Sequence, residues 1–311
     1  MSPPACRVCG QPATALWTTA VDVEYETTDE LFYYWLCRGC DCLTIDPLPE
    51  GRLSEIYPPG YYSFADGEDA LAADRSLVAR AKGALDRRAF RRVTELAETE
   101  APRVLDVGGG TGEISAALIA GIPAAQATVV DFDPESTAVA AERGLSVATC
   151  RFEEFETDER YDVVMMLNLI EHVADPMATL RHAAGLLAPG GVVWMQTPNF
   201  RSLDAHLFRR RNWAGLHCPR HWVIFSVAGL RRALPAAGLE PLRLRPTQGG
   251  AFWAASILGA LRRREPGRAG RPLVRDPFFL PLAGAGALFD LATSPVRAAS
   301  QVACIARAAG E

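Results

Sequence analysis

The chain has 311 residues, 49% of them hydrophobic and 22% charged, a balance typical of a globular protein with one full domain and a small appended one. Its net charge of -5 and pI near 5.7 argue against the broad basic surface of a nucleic-acid binder, so no nucleic-acid partner is expected. No export signal opens the sequence, and no apolar run reaches the roughly 20 residues that cross a bilayer. We therefore expect a cytoplasmic protein with reduced cysteines and no transmembrane segment.

Five of the eight cysteines lie in the first 42 residues. They form two Cys-x-x-Cys pairs and one extra thiol, Cys42, and the aromatic and β-branched stretch between the pairs predicts a β-hairpin. This spacing is typical of a four-thiolate zinc ribbon, in which the metal is structural. The predicted zinc ligands are Cys6, Cys9, Cys37 and Cys40. Free thiols, or Cys42 in place of Cys40, remain alternatives.

A connector rich in proline and tyrosine follows, and residues 70–99 have the apolar spacing of a helix. From residue 103 onward, short apolar strands alternate with helices, which predicts a doubly wound α/β fold with a parallel sheet. The predicted strands are 103–107, 127–132, 145–150, 161–167, 191–197, 239–246 and 301–308, and the helices between them are 113–120, 135–143, 176–187 and 227–237.

A glycine loop follows the first of these strands and opens a helix, with glycines at 108, 110 and 112. Glycines let the backbone approach a ligand closely, and the helix N-terminus offers free N–H groups. The dinucleotide fingerprint has its third glycine three residues after the second, but Glu113 stands there. The spacing therefore argues against a nicotinamide-dependent oxidoreductase.

Two carboxylates accompany the loop. Asp106 stands just before the glycines, which suits a ligand with a positively charged amine. Asp131 ends the next strand, where a carboxylate can accept both hydroxyls of a ribose, and Phe132 beside it could cover an adenine ring. The alternative is that both aspartates are caps at strand ends.

Five motifs in order, spanning Arg103 to Gly238, carry a family resemblance: VLDVGGGTG, VVDFDPES, YDVVMMLNLIEHVADP, LLAPGGVVWMQTPN and PRHWVIFSVAGLRRALPAAGL. Through them the chain resembles class I S-adenosylmethionine-dependent methyltransferases, especially those related to ubiquinone-biosynthesis O-methyltransferases. The resemblance implies S-adenosylmethionine held by Gly108, Gly110, Gly112 and Asp131, with the adenine near Phe152 and Glu153 and the methionine end near Asn168. Cys150-Arg151 departs from the family pattern just before Phe152, which bears on the adenine contacts.

The N-terminal motifs CRVCG, CRGCDCLTIDPLP and LSEIYPPGYYSF resemble the zinc-binding region that precedes some bacterial sugar and natural-product methyltransferases. That resemblance implies that the module and Tyr57, Tyr61 and Tyr62 lie over the substrate opening. A stabilising cap or a homodimer contact is the alternative.

Methyl transfer to a hydroxyl needs a base that takes a proton near neutral pH, and histidine is the usual choice. His221 is expected to be catalytic or to bind substrate. His172 and Glu171 follow the fourth strand of the α/β domain and either act on substrate or fix their loop by hydrogen bonds. The remaining histidines, His182, His206 and His217, are expected to be solvated.

Trp213, Arg220 and Trp222 lie in the same segment as His221. We expect them to form a lid or an aromatic wall for substrate, with Arg220 as the clamp for an anionic or sugar-like group. Aromatic residues are also ordinary core material, which is the alternative.

Two apolar stretches, 252–261 and 280–291, are separated by an arginine-rich segment. A helical lid or oligomer interface is one interpretation, and peripheral contact with an anionic membrane is the other.

The predicted fold class is α/β: a doubly wound Rossmann-like methyltransferase sheet with a small N-terminal zinc-ribbon-like β module and a helical insertion before the last strand. The predicted parts are the module (1–50), a connector and helical lid (51–100), the S-adenosylmethionine-binding domain (101–248), the apolar insertion (249–298) and the last strand (299–311). The predicted function is methyl transfer to a small molecule, at a hydroxyl of a sugar-containing or secondary metabolite. The alternatives are C- or N-methylation, and a zinc-ribbon binding protein without catalysis.

Overall fold

The computed structural model describes residues 3–57, 77–122, 124–261, 273–294 and 298–310, with the backbone only for 77–86. In chain order its strands are β1 (Ala15–Ala20), β2 (Phe32–Cys37), β3 (Cys42–Asp46), β4 (Arg103–Val107), β5 (Gln126–Asp131), β6 (Ser146–Thr149), β7 (Tyr161–Leu167), β8 (Leu187–Pro198), β9 (Val223–Ile224), β10 (Leu239–Thr247) and β11 (Gln301–Ala308). Its helices are α1 (Leu53–Ile56), α2 (Leu77–Leu96), α3 (Glu113–Ile119), α4 (Pro134–Glu142), α5 (Pro176–Gly185), α6 (Leu203–Phe208), α7 (Val227–Ala236), α8 (Gly250–Leu261) and α9 (Phe279–Thr293).

The larger sheet has the order β10-β11-β8-β7-β4-β5-β6. Strands β6, β5, β4, β7 and β8 are parallel, β11 runs antiparallel to β8, and the edge strand β10 runs antiparallel to β11. Along β7, Val163 and Met165 pack in one buried cluster and Val164 and Met166 in another, the alternation expected of a strand covered on both faces. The predicted doubly wound α/β fold is confirmed.

Short polar caps start the helices that follow the strands. The Asp133 carboxylate accepts a hydrogen bond from the Ser136 N–H (2.9 Å) ahead of α4, with Pro134 at the first helical position. Ser226 does the same for α7 through the Gly229 N–H (2.9 Å). These caps fix where the chain leaves the carboxyl edge of the sheet, which is the edge that carries the candidate site.

The smaller sheet has the order β1-β2-β3-β9 and is antiparallel. The predicted hairpin between the cysteine pairs is β1–β2. The fourth strand, β9, comes from the distant segment 223–224 and pairs with β3 through Leu43 and Ile224. The cysteine module therefore shares a sheet with the chain that follows β8.

The predicted helical insertion consists of α8 and α9, which pack against each other between β10 and β11. Gly250 permits the close approach, since a Cβ there would lie 2.0 Å from the Ala283 carbonyl oxygen. Buried Asp290 accepts hydrogen bonds from the Gly249 N–H (2.8 Å) and the Trp253 indole (3.0 Å). Among the residues described, no helix combines the length and apolar character that crossing a membrane requires.

Candidate functional site

The glycine loop connects β4 to α3 in a backbone conformation that favours glycine. Gly108 (φ 68°) and Gly112 (φ 68°) both lie in the left-handed region. A Cβ on Gly108 would meet the Leu169 side chain at 2.7 Å, and one on Gly112 would meet Leu145 at 2.3 Å. The loop is thus packed closely against Leu169, which follows β7, and against Leu145, which precedes β6.

Asp131 ends β5 and is held by the loop. Its carboxylate accepts hydrogen bonds from the Gly110 N–H (2.9 Å) and the Asp133 N–H (3.0 Å). Each oxygen keeps a further lone pair, so the group fits the predicted contact with two ribose hydroxyls. Burial raises the pKa of Asp131, and the neighbouring Phe132 ring is 52% exposed.

Asp106 lies within the loop's own packing. It is buried, accepts a hydrogen bond from the Ser115 hydroxyl (2.6 Å) and lies against Gly109, where a Cβ would come within 2.5 Å of Oδ2. Burial raises the pKa of Asp106 to about 7. Its contacts are those of a residue that holds the loop, and its predicted contact with an amine stays a prediction.

The other predicted cofactor residues surround the same edge of the sheet. Phe152 is buried with its ring 4.6 Å from that of His182, while Glu153 is exposed beside Arg151 (3.7 Å). Asn168 is exposed at the end of β7, and its side-chain oxygen accepts a hydrogen bond from Gln301 (2.8 Å), the first residue of β11. Their contacts with adenine and methionine stay predictions.

Three histidines meet beyond the carboxyl edge of the sheet. The ring centroids of His172 and His221 lie 4.5 Å apart, and that of His217 lies 5.1 Å from His221 and 6.3 Å from His172. The prediction that His217 is solvated is wrong, because it is buried and bonded to Glu24 (2.8 Å) of the N-terminal module. His206 is exposed, as expected.

Each remaining ring of this cluster has a defined partner. His172 Nδ1 is bonded to the Tyr57 hydroxyl (3.0 Å), and His221 Nδ1 to the Gly215 carbonyl oxygen (2.8 Å). A carbonyl only accepts, so His221 carries its proton on Nδ1 and presents Nε2 as an acceptor. Burial lowers the pKa of His172 to about 3 and that of His221 well below its usual value, so both are neutral near pH 7.

Glu171 lies behind the histidines and is fully buried. Its Oε2 accepts a hydrogen bond from Thr197 (2.9 Å), while Oε1 lies 4.0 Å from His221 Nε2 and has no hydrogen-bond partner among the residues described. Burial raises the pKa of Glu171 to about 8. The ligand-type atoms of Glu171, His172 and His221 lie within 4.8 Å of one another, so these three could also share a divalent cation.

The expected lid is not formed by the two tryptophans. Trp213 and Trp222 are both 1% exposed, and their indole N–H groups donate to Asp204 (2.6 Å) and the Pro219 carbonyl (3.0 Å). They are core residues that shape the segment around His221.

Arg220 also makes its contacts inside the protein, which corrects its expected role as a substrate clamp. It is fully buried, donates to Asp22 (2.9 Å) and lies over the Tyr25 ring at 4.5 Å. Burial alone would raise the pKa of Asp22, but the Arg220 guanidinium lowers it overall. Asp22, Glu24 and Tyr25 were missed because nothing in a polar hairpin loop indicates pairing with residues about two hundred positions away.

The four predicted zinc ligands converge. The sulfur atoms of Cys6 and Cys40 lie 3.4 Å apart and those of Cys9 and Cys37 3.5 Å apart, and all four lie within 4.8 Å of one another. A tetrahedral zinc with bonds of about 2.3 Å places sulfurs roughly 3.8 Å apart, so the set fits the metal. Cys42 is not a member, since its sulfur contacts the Cys40 carbonyl oxygen (3.7 Å). Tyr61 and Tyr62 lie outside the described residues.

The module's sheet is tied directly to the histidine segment. The Tyr34 hydroxyl donates to the carbonyl oxygens of Leu216 (3.1 Å) and His221 (3.2 Å), and the Ile45 N–H donates to that of Trp222 (2.9 Å). Glu24 of the module, and Tyr57 of the connector that follows it, contact the histidine rings. The N-terminal module therefore forms one wall of the candidate site.

Comparison with known proteins finds a matching family and several relatives. A family model described as a methyltransferase domain matches residues 81–244 of this chain. The ubiquinone biosynthesis O-methyltransferase of Parvibaculum lavamentivorans is 39% identical over 130 residues, covering 40% of this chain and 48% of the relative. That of Bordetella avium is 32% identical over 158 residues, covering 46% of this chain and 64% of the relative. The chain thus spans about half to just under two thirds of the length of these relatives.

A solved structure with a related fold is a coclaurine N-methyltransferase bound to N-methylheliamine and SAH. The TM-score is 0.52 with 14% sequence identity, covering 75% of this chain and 74% of that one. At this identity the likeness concerns the fold alone.

Proposed function

Because the chain belongs to the methyltransferase-domain family and is a class I S-adenosylmethionine-dependent methyltransferase, we propose that it methylates a hydroxyl of a small molecule, a sugar-containing or secondary metabolite. The observation that carries this proposal is the pair of neutral histidines, His172 and His221, beside the cofactor loop. His172 lies in the same turn as Leu169, its N–H donating to the Leu169 carbonyl (2.8 Å), and the Leu169 side chain contacts Gly108.

The cofactor is held, in this proposal, by the glycine loop and by Asp131, whose carboxylate is oriented by two backbone N–H groups. When bound, S-adenosylmethionine supplies a methyl group already activated by a sulfonium. The protein must therefore position the acceptor, exclude water and take up the acceptor's proton.

We assign the uptake of the acceptor's proton to Tyr57 and His172. His172 is only partly buried, whereas His221 and Glu171 lie deeper. The Tyr57 hydroxyl and His172 Nδ1 are hydrogen-bonded (3.0 Å), and we assign the His172 tautomer that carries its proton on Nε2. The hydroxyl then donates to Nδ1, and the acceptor's proton passes to Tyr57 as the tyrosine proton passes to His172 Nδ1. His221 supports the His172 ring from its edge at 4.5 Å.

The first test is calorimetric titration with S-adenosylhomocysteine. We expect micromolar binding to the wild type, roughly hundredfold weaker binding to Asp131→Ala because two charge-assisted hydrogen bonds are lost, and no binding of NADH. Glu135→Ala, an exposed carboxylate in the next helix, is the matched control and should bind like the wild type. A folded protein that does not bind S-adenosylhomocysteine would contradict the proposal.

We also propose that the four cysteines bind a structural zinc ion and that the module covers the acceptor site. The converging sulfurs support the first point, and the contacts of Glu24 and Tyr57 with the histidines support the second. A closed four-sulfur set leaves no open coordination position, so this metal would stabilise the module and take no part in the reaction.

A further inference from the structure

An exposed apolar surface lies on the α8–α9 insertion. Six large side chains form it, which we call the hairpin surface: Leu261, Val274, Phe278, Leu280, Leu288 and Leu291. Leu261 is 75% exposed and Leu288 71%, against the near-complete burial that leucine usually has. The one ionisable residue of α9, Asp290, is buried, so the outer face of this helix is apolar throughout.

Arginines flank this surface. Arg211 lines a cleft together with Gly259 and Ala260 at the end of α8, and Arg210 beside it is exposed. The Leu273 side chain lies 3.8 Å from the position of a Cβ on Gly259, which places the exposed Arg275 near the same end. Arg210, Arg211 and Arg275 thus outnumber the two acidic residues described at this border, Glu26 in the same cleft as Arg211 and Asp276 beside Arg275, in a protein whose net charge is -5.

We propose that the hairpin surface docks on an anionic lipid bilayer. Leucine and phenylalanine enter the headgroup boundary while arginines contact anionic headgroups, the arrangement typical of peripheral membrane helices. The 15 residues of α9 span roughly 22 Å, which is shorter than a bilayer core of about 30 Å, so the helix lies on the membrane. A second copy is a poorer occupant, because a two-fold contact would bring arginines of the same sign together.

The surface adjoins the candidate site. The Ala214 N–H donates to Ser256 of α8 (2.9 Å), and a small cleft is lined by Ala255, Leu273, Glu24 and His217. Docking through the hairpin surface therefore brings the membrane next to the histidine cluster.

The test is co-sedimentation of the full chain with vesicles of phosphatidylcholine, with and without phosphatidylglycerol. We expect binding only to the anionic vesicles, falling as salt rises. Leu280→Ser/Leu288→Ser should lower the partition coefficient about tenfold per leucine. Arg210→Gln/Arg211→Gln should lower it about fivefold per arginine. Leu31→Ser, a 45% exposed leucine of the N-terminal module, is the control and should bind like the wild type.

Every variant should first be shown to bind S-adenosylhomocysteine like the wild type, which establishes that it folds. Absence of binding to anionic vesicles, or equal binding by all variants, would overturn the proposal. A wild-type dimer in light scattering that Leu280→Ser/Leu288→Ser converts to a monomer, without vesicle binding, would assign the surface to a second copy instead.

Discussion

The Tyr57–His172 pair depends on burial for its chemistry. An ordinary histidine is partly protonated near neutral pH, but burial lowers the pKa of His172 to about 3, so the ring is unprotonated at pH 7 and is a weaker base than an exposed histidine. The same burial keeps Glu171 protonated, since its pKa is raised to about 8. Glu171, His172 and His221 are therefore uncharged at pH 7.

Removing either member of the pair should slow the reaction without weakening the cofactor. We expect Tyr57→Phe and His172→Ala to lower kcat by about 10²–10⁴-fold, the usual contribution of general base catalysis. Affinity for S-adenosylhomocysteine should stay within about twofold, because Asp131 and the glycine loop are unchanged. His206→Ala, an exposed histidine, is the control. Equal loss of kcat and of S-adenosylhomocysteine affinity would assign the pair a structural role.

Glu171 should make stability depend on pH. Its pKa is raised from 4.5 to about 8 in the folded protein, so the stability that it contributes is fully present below pH 4.5 and is lost as pH rises toward 8. Glu171→Gln removes this loss. We therefore expect the variant's Tm, relative to the wild type, to rise between pH 4.5 and 8, measured by thermal unfolding across that range.

The histidines act in the opposite direction. Their lowered pKa values mean that the stability they contribute is present above their unfolded pKa of 6.5 and is lost as pH falls. That contribution is common to the wild type and Glu171→Gln and largely cancels in the difference. Glu153→Gln, at an exposed position, should show no such trend, and a flat difference for Glu171→Gln would contradict the inferred burial effect.

At the scale of elements, the sequence predicted the strands and helices that have a residue pattern of their own. The strands of the larger sheet are apolar runs, and the helices that follow them start at capping residues such as Asp133 and Ser226, so their bounds agree within a few residues. Strand β9 has only two residues and no pattern of its own, and its pairing with β3 depends on tertiary contacts. Residue patterns alone therefore did not predict the N-terminal wall of the site, which only the family resemblance of the N-terminal motifs implied.

The same limit applies within the site. Glycines and Asp131 were recognisable because their chemistry depends on local spacing, and the structure brings them together. His217 and Arg220 were misjudged because their burial depends on Glu24 and Asp22, which arrive from the other end of the chain. Residue type and spacing predict which chemistry is present, while long-range pairing decides which side chains face the acceptor.

The Asp22–Arg220 pair should contribute strongly to the attachment of the module. Both side chains are fully buried, so removing one leaves an uncompensated charge, which typically costs about 3–5 kcal/mol. We expect Asp22→Asn to lower the free energy of unfolding by that amount in urea titration, and Asp22→Asn/Arg220→Met to recover part of it.

The matched control is the more exposed pair of Arg201 (side chain 50% exposed) and Asp41 (18% exposed), which also joins the module to the rest of the chain. Arg201→Ala should cost less than about 1 kcal/mol, because exposed ion pairs contribute little. Equal losses for the two pairs would show that burial does not set the energetics of this contact.

At the scale of the whole molecule, two groups of elements meet at the acceptor site. The cofactor loop belongs to β4 and β5 of the larger sheet, whereas Glu24 belongs to the cysteine module, Tyr57 to the connector that follows it, and β9 pairs with β3 of the module. In the proposed function, cofactor binding depends on the larger sheet alone, whereas proton transfer needs both Tyr57 and His172, which follows β7 of that sheet. Disrupting the module should therefore lower kcat while leaving the affinity for the cofactor nearly unchanged.

Loss of the zinc site provides that separation. We expect Cys9→Ser/Cys37→Ser to abolish zinc binding, measured by atomic emission, and to loosen β2 and β3, which hold His221 through Tyr34 and Trp222 through Ile45. A displaced catalytic group costs roughly hundredfold, so kcat should fall by that order while S-adenosylhomocysteine affinity changes little. Cys150→Ser, outside the module, should retain zinc and activity. Unchanged kcat in a variant without zinc would show that the module has no part in acceptor chemistry, and equal loss of kcat and cofactor affinity would show that the two sheets unfold as one unit.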